Sequence, residues 1–382
     1  MDKLKRGAVE IIPEDEFASK LKTQKPLRIK LGIDPTAPDI HLGHSVVLRK
    51  LRHFQEAGHQ VVLIIGDYTA KIGDPTGRSE TRKILTDDEI RRNTKTYLDQ
   101  ISKILNTQDK ALFELRYNSE WLAPLTFEKM IELAHSYTVA QLLARKDFSK
   151  RFEAGQPIGL HEFFYPIMQG YDSVMIKADV ELGGTDQKFN ILVGRELQRL
   201  HGFTSPQIVF LMPIIEGTDG VQKMSKSLEN YIGITDSQSE MHEKVMRIPD
   251  TLMQKYFELL TDFPQVEAEV MIQSDPRKAK ALLAELIVRS YHDISNPTKE
   301  FIPEIPEFKV PPELIVEGHV MVGKLLVSAK LAPSMREAKR LLMQGAVVVD
   351  EITVPGESET IELRDRMKLQ VGKLRFVRLR IP

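Results

Sequence analysis

The sequence contains no cysteine. That excludes structural disulfides and thiolate metal sites, and it fits a reducing compartment. No apolar run approaches the roughly 20 residues that a membrane span requires. Met1-Asp2-Lys3-Leu4-Lys5-Arg6 has no hydrophobic stretch behind it, so it does not read as a signal peptide. A soluble, cytoplasmic protein with no membrane partner is expected. Net charge is nearly absent too: −1 over 382 residues. Bulk electrostatics therefore give no sign of nucleic-acid binding, and any such signal must be regional.

One region carries it. Residues 318–382 hold 12 Lys and Arg against 7 Asp and Glu, a net +5, which leaves −6 for the rest of the chain. A basic module on an acidic body is expected where one end meets phosphate, although small domains also reach a few net charges by chance. With 42% hydrophobic residues over this length, the chain is too long for one core and divides into two or three domains.

The first half alternates strand and helix patterns. Residues 28–33 read as a strand, followed by a loop with Pro35 and Pro38, then an amphipathic helix over about 41–57 that stops at Gly58. Val61-Val62-Leu63-Ile64-Ile65 is a continuous apolar run of the kind buried on both faces of a parallel sheet. Residues 173–178 and 207–212 are predicted as two further strands around a helix over about 186–201. The rhythm implies a doubly wound, Rossmann-like α/β domain over 1–234. Residues 235–300 read as helical, with segments at 237–247, 250–260 and 276–292. Pro303, Pro306, Pro311 and Pro312 mark a linker over 301–317. In the α+β tail, Ser334-Met335-Arg336-Glu337 is a capping box opening a helix that ends at Gly345. β-rich segments follow at 346–350 and 374–381.

Three short strings carry chemistry. His41-Leu42-Gly43-His44 opens a helix directly after a strand and loop. Its two histidines share a face beside unpaired amides, a place where polyphosphate binds, and Gly43 permits close approach. Two surface histidines would look the same. Lys223-Met224-Ser225-Lys226-Ser227 follows Asp219-Gly220. Two ammonium groups three residues apart on a glycine-flanked loop can wrap a triphosphate as charge develops on it; a solvated basic loop is the plainer reading. Gly183-Gly184-Thr185-Asp186-Gln187 lies between a strand and a helix, where an open α/β sheet holds ligands. Thr185 or Asp186 would equally serve as a helix cap.

These strings, in this order, resemble class I aminoacyl-tRNA synthetases. The run from Leu31-Gly32-Ile33-Asp34-Pro35 to His44, with Ile72-Gly73-Asp74-Pro75 and Tyr165-Pro166-Ile167-Met168-Gln169-Gly170-Tyr171-Asp172, resembles the tyrosyl branch. The tail resembles the RNA-binding module of ribosomal protein S-four. The resemblance implies activation of L-tyrosine with ATP, then transfer to tRNA(Tyr). It implies that His41, His44, Lys223 and Lys226 act on the phosphates. Asp34, Gly43, Gly184, Asp186, Met224 and Ser225 would complete the ATP site. Asp74, Tyr165 and Gln169 would surround the tyrosine ammonium group, Asp172 would accept from the phenol, and Gln187 would contact the carboxylate, with Asp34 in the same pocket. Lys30 stands where many family members place a tyrosine that grips the substrate hydroxyl, and it is counted in that pocket. In the tail, Arg336, Lys339 and Arg340 share one broad helix face for tRNA. The sequence offers no dedicated metal cluster, so Mg²⁺ would arrive with ATP. The family forms homodimers through a helical insertion, here near 115–165. The segment over 292–311 is shorter than the family's usual connection. Rival readings are a tryptophanyl-tRNA synthetase, a non-catalytic RNA-binding descendant of a synthetase, and a smaller nucleotidyltransferase.

Overall fold

The computed structural model describes residues 2–381 apart from 24, 37, 77–84, 293–306, 317, 351, 357–359 and 373–374. The chain forms two compact units, Met1–Leu260 with Ile287–Asp293, and Thr261–Leu286 with Ile294–Pro382.

A six-stranded sheet organises the first unit. Its strands are β1 (Glu10–Ile12), β2 (Arg28–Ile33), β3 (Gln60–Ile65), β4 (Phe113–Tyr117), β5 (Val180–Gly184) and β6 (Ile208–Met212), in the spatial order β1-β6-β5-β2-β3-β4. All neighbours run parallel except β1, which pairs antiparallel with β6 at the edge. Val61 to Ile65 of β3 have no exposed surface. At about 1.5–3 kcal/mol for each fully buried aliphatic side chain, this run anchors the sheet. Phe17, Phe54 and Phe210 meet edge to face beside it, with centroids 5.6–6.3 Å apart. Strand order reverses between β2 and β5, which makes that gap the topological switch point.

Three helices frame the gap: α1 (Leu42–Glu56), α2 (Phe164–Met175) and α3 (Lys188–Leu200). Between β4 and α2 the chain makes short helices, including Phe127–His135, Val139–Leu143 and Lys146–Glu153.

The strand expected over 173–178 is not one. Residues 173–175 end α2, Lys177 turns the chain with φ 52°, and β5 begins at Val180. A short apolar run has the same composition in a buried helix as in a buried strand, and here the run belongs to a helix buried along Ile167, Met168 and Gly170. Strands β1 and β4 carry no signal that sequence reading picked up.

The expected helical stretch over 235–300 is divided. Gln238–Arg247 and Met253–Leu260 belong to the first unit, and Gln265–Ser274 to the second. The expected linker over 301–317 is also partly regular. Glu307–Lys309 joins a five-stranded sheet, in the order Ile352–Thr353, Val347–Val349, Lys368–Val371, Arg375–Arg380, Glu307–Lys309. Ile315–Val316 pairs with His319–Met321. Pro303 and Pro306, and most of the short connection over 292–311, lie outside the described residues. Helix α4 (Met335–Met343) starts as expected with Ser334 capping the Glu337 amide at 3.3 Å. The Glu337 carboxylate, expected to reach back to the cap, instead receives the Arg340 guanidinium at 2.6 and 2.9 Å. An adjacent cation draws a carboxylate more strongly than a neutral amide does.

Candidate active site

The carboxyl ends of the central strands open onto one place. Asp34 follows β2, Gly66 follows β3, Asn118 follows β4, and Gly184 ends β5 with Asp186 and Gln187 beyond it. Asp34 accepts from Thr69 Oγ1 at 2.8 Å and from Tyr165 Oη at 2.9 Å. A Cβ on Gly66 would lie 2.0 Å from the Asp34 carboxylate, so any side chain here would displace it.

The two histidines cap α1 reciprocally. The Gly43 amide donates to His41 Nδ1 at 3.1 Å, and the His41 amide donates to His44 Nδ1 at 3.3 Å. Their rings stack with centroids 4.0 Å apart. A nitrogen that accepts from an amide carries no proton, so each ring proton sits on Nε2, free to donate. Burial first, then His44, Lys226 and Lys223, pushes His41 down to about 2. Burial and the two lysines push His44 down to about 4, although its ring keeps an exposed face. The direction for both follows independently from the amides on Nδ1. At neutral pH these are uncharged hydrogen-bond donors.

The lysine loop packs onto this cap. Met224 is buried, and its sulfur lies 3.3 Å from the Gly43 amide. A Cβ on Gly43 would press on the His41 ring at 2.9 Å. Lys223 Nζ lies 3.8 Å from Asp186, and Lys226 is ion-paired with Asp39 and sits over the Tyr231 ring at 5.5 Å. Burial raises the Asp186 carboxyl above its ordinary value, with Lys223 opposing. Asn230 ties the loop together. Its carbonyl oxygen accepts from the Ser225 amide at 2.8 Å, and its amide donates to Asp219 at 2.9 Å and to the Lys223 carbonyl at 3.2 Å.

A polar chain crosses the remaining pocket. Asp74 accepts from Gln187 at 2.7 Å and from the buried Arg145 at 3.3 Å. Asn190 donates to Gln187 at 3.1 Å and to Gln169 at 3.0 Å. Buried Asp172 receives Trp121 Nε1–H at 2.8 Å and Asn118 at 3.4 Å. Burial pushes its carboxyl up to about 7, against the pull of Lys30 and the two donors.

Lys30 does not serve the pocket as expected. It has no exposed surface, and its ammonium donates to the Gln169 carbonyl at 2.8 Å and Ser173 Oγ at 2.6 Å and is ion-paired with Glu181 at 2.9 Å. With no exposed surface and these three partners, the ammonium is held inside the core. Sequence reading also missed Asp39, Thr69, Asn118, Trp121, Arg145, Asn190 and Asn230. Asn118 directly follows β4, a strand that gave no signal of its own. A separate cavity of about 500 Å³, lined by Tyr68, Lys71, Arg91, Lys95 and Tyr117 among others, contains none of the predicted site residues. Among the described residues, no three His, Asp or Glu side chains come together to hold a metal. In the second unit, Arg336, Lys339 and Arg340 are all exposed on α4.

The family model of class I tRNA synthetases (W and Y) matches residues 22–305. A tyrosine–tRNA ligase of Carboxydothermus hydrogenoformans is 53% identical over 98% of this chain and 96% of its own length. One from Coxiella burnetii is 50% identical over 100% and 98%. The Archaeoglobus fulgidus tyrosyl-tRNA synthetase, solved with L-tyrosine, shares the fold with a TM-score of 0.62 at 20% identity, covering 76% of this chain and 96% of that one.

Proposed function

The chain belongs to the class I tRNA synthetases of the tryptophan and tyrosine branch, and from that premise we propose how its cleft works as a tyrosine–tRNA ligase. The activity itself follows from relatives near 50% identity along almost the whole chain: tyrosine is activated with ATP, then joined to tRNA. The tryptophan alternative falls with the same comparison.

The attacking tyrosine carboxylate is ionised at neutral pH and needs no general base. The site must align it on the α-phosphate and neutralise charge developing on pyrophosphate. His41 and His44 donate Nε2–H to the phosphates, beside the α1 amides. Lys223 and Lys226 hold the departing pyrophosphate, while Gly184 and Asp186 take the adenosine. ATP enters as its Mg²⁺ complex, because magnesium is held mainly through substrate phosphates and needs no protein cage. Asp74, Tyr165 and Gln169 receive the tyrosine ammonium group, Gln187 faces its carboxylate, and Asp172 accepts from its phenol.

The observation that carries this reading is the meeting of Met224 with Gly43, which closes the lysine loop over the histidine cap at the switch point. Two variants test the roles by contrast. Asp74→Asn raises the tyrosine KM and leaves the ATP KM within about twofold, since it removes one charged acceptor from the tyrosine side alone. Lys223→Ala acts mainly on ATP use. Equal effects on both substrates in both variants would contradict the assignment.

The second unit, with Arg336, Lys339 and Arg340, is the tRNA-binding module in this scheme. The chain works as a homodimer in the cytoplasm. Support for the dimer comes from Phe127, Ile131, Val139, Phe152 and Leu160 of the insertion, each at least 55% exposed. Exposed apolar side chains concentrated in one segment mark an interaction surface.

A further inference from the structure

Lys30 and Glu181 are direct neighbours across the β2–β5 switch point. Each is essentially without solvent contact, at 0% and 1% exposure. Replacing such a pair by well-packed apolar residues is often neutral or stabilising, so burial alone does not explain it. Its connections do. Lys30 donates to the Gln169 carbonyl and to Ser173 Oγ. Glu181 accepts from Ser173 Oγ at 2.9 Å, from Gln169 Nε2 at 3.2 Å and from Gln207 Nε2 at 2.6 Å. Gln169 and Ser173 are one helical turn apart on α2, and Asp172 lies between them. The pair thus holds two residues on one face of α2, one turn apart, that bracket Asp172 in the sequence.

Asp172 feels charge from two strands and accepts from the segment after β4. The charge of Lys30 on β2 favours its ionised form and that of Glu181 on β5 opposes it, while Asn118 and Trp121 supply neutral N–H donors. We propose that the Lys30–Glu181 pair is the positioning unit for phenol recognition, aiming Asp172 at the substrate hydroxyl and setting its charge from beneath the pocket. The proposal rests on the reading that Asp172 accepts from the phenol. It also accounts for a pocket that lacks a second side chain at position 30 to grip the hydroxyl. Discrimination then depends on Asp172 being an ionised acceptor, held by Trp121 and Asn118.

The protein supplies its own reporter, because Trp121 is its single tryptophan and its Nε1–H bonds to Asp172. The experiment is a pH titration of tryptophan fluorescence in the full-length, unliganded protein. Ionisation of Asp172 should appear as a transition with its midpoint near 7, where burial places this carboxyl. Asp172→Asn should abolish it. Two further variants shift the midpoint in opposite directions. Glu181→Gln removes the negative neighbour, keeps the side-chain shape and moves it down. The Lys30→Met/Glu181→Met double variant removes both charges. Because Lys30 acts on Asp172 more strongly than Glu181 does, its midpoint moves up. For an upward move of about one pH unit, the ionised fraction at pH 7 falls from about one half to about one tenth, so the tyrosine KM should rise about fivefold with kcat within about twofold.

A purely structural role would displace both variants in the same direction or leave both midpoints in place, and either outcome overturns the proposal. Should the double variant fail to fold, Glu181→Gln decides alone: a midpoint that is unchanged or raised overturns it. Failure of the underlying reading looks different. In that case Asp172→Asn would lose its fluorescence transition yet activate tyrosine as well as the unaltered protein does.

Discussion

Lys226→Ala tests the division of labour between binding and catalysis. In the structure Lys226 is already engaged: it pairs with Asp39 and lies over Tyr231. Before it can reach a pyrophosphate it must leave Asp39. Both side chains are partly exposed, at 25% and 38%, so that pair is worth at most about 1 kcal/mol. Losing Lys226 therefore removes a transition-state interaction, costing roughly 10²- to 10³-fold in the rate of adenylate formation. It also relieves the ground state of a small competing ion pair, so the ATP KM should change by less than about fivefold. Tyrosine affinity should stay within about twofold, because no pocket residue touches Lys226. Asp39→Asn gives the complement: the lysine is released early, and the ATP KM falls by up to about fivefold. The assay is ATP–pyrophosphate exchange with each substrate varied in turn, backed by single-turnover adenylate formation. Parallel loss of tyrosine affinity and rate in Lys226→Ala would mean a collapsed site and would refute the reasoning.

Three further outcomes are expected from other parts of the molecule. His41 and His44 are held below their ordinary value of 6.5, so below about that pH the unfolded chain takes up protons that the fold refuses. Stability should then fall as pH drops from about 6.5 and be indifferent to these groups above it; a His44→Asn variant should show a shallower acid slope in Tm, and an identical slope would contradict the assignment. Asn230→Ala removes the tie on the lysine loop and leaves its buried partners unpaired, so kcat and Tm should both fall, and an unchanged kcat would detach the order of this loop from catalysis. Replacing Arg336, Lys339 and Arg340 by Ala should weaken tRNA binding and flatten its salt dependence by roughly 0.7–0.9 log units for each phosphate no longer neutralised. Arg340 should contribute least, because Glu337 already holds its guanidinium; an unchanged slope would remove this face from the tRNA site.

How far the sequence revealed the site depends on distance along the chain. His41 to His44 and Lys223 to Ser227 were legible because their chemistry is local: two histidines on one helical turn, two lysines on one loop. Strands β2, β3 and β6 showed in apolar runs of strand length. The run over 173–178 misled because burial in a helix produces the same composition. What stayed hidden was pairing across the fold. Nothing near Lys30 announces Glu181, which is brought beside it only by the β2–β5 register. Nothing near Lys226 announces Asp39, and Trp121 acquires its meaning only once α2 sets Asp172 against it. The position of Lys30 was readable, but its burial against Glu181 inside the core was not.

The most direct test of tyrosine activation at this cleft is ATP–pyrophosphate exchange on the unaltered protein with tyrosine, phenylalanine and tryptophan supplied one at a time. A site built to hydrogen-bond a substrate hydroxyl rejects the analogue lacking it by roughly 10⁴- to 10⁵-fold, the tyrosyl enzymes being the standing example. Exchange with tyrosine is predicted, with discrimination of that order against phenylalanine and no activity with tryptophan. Comparable exchange with phenylalanine or tryptophan, or none with tyrosine, would contradict it.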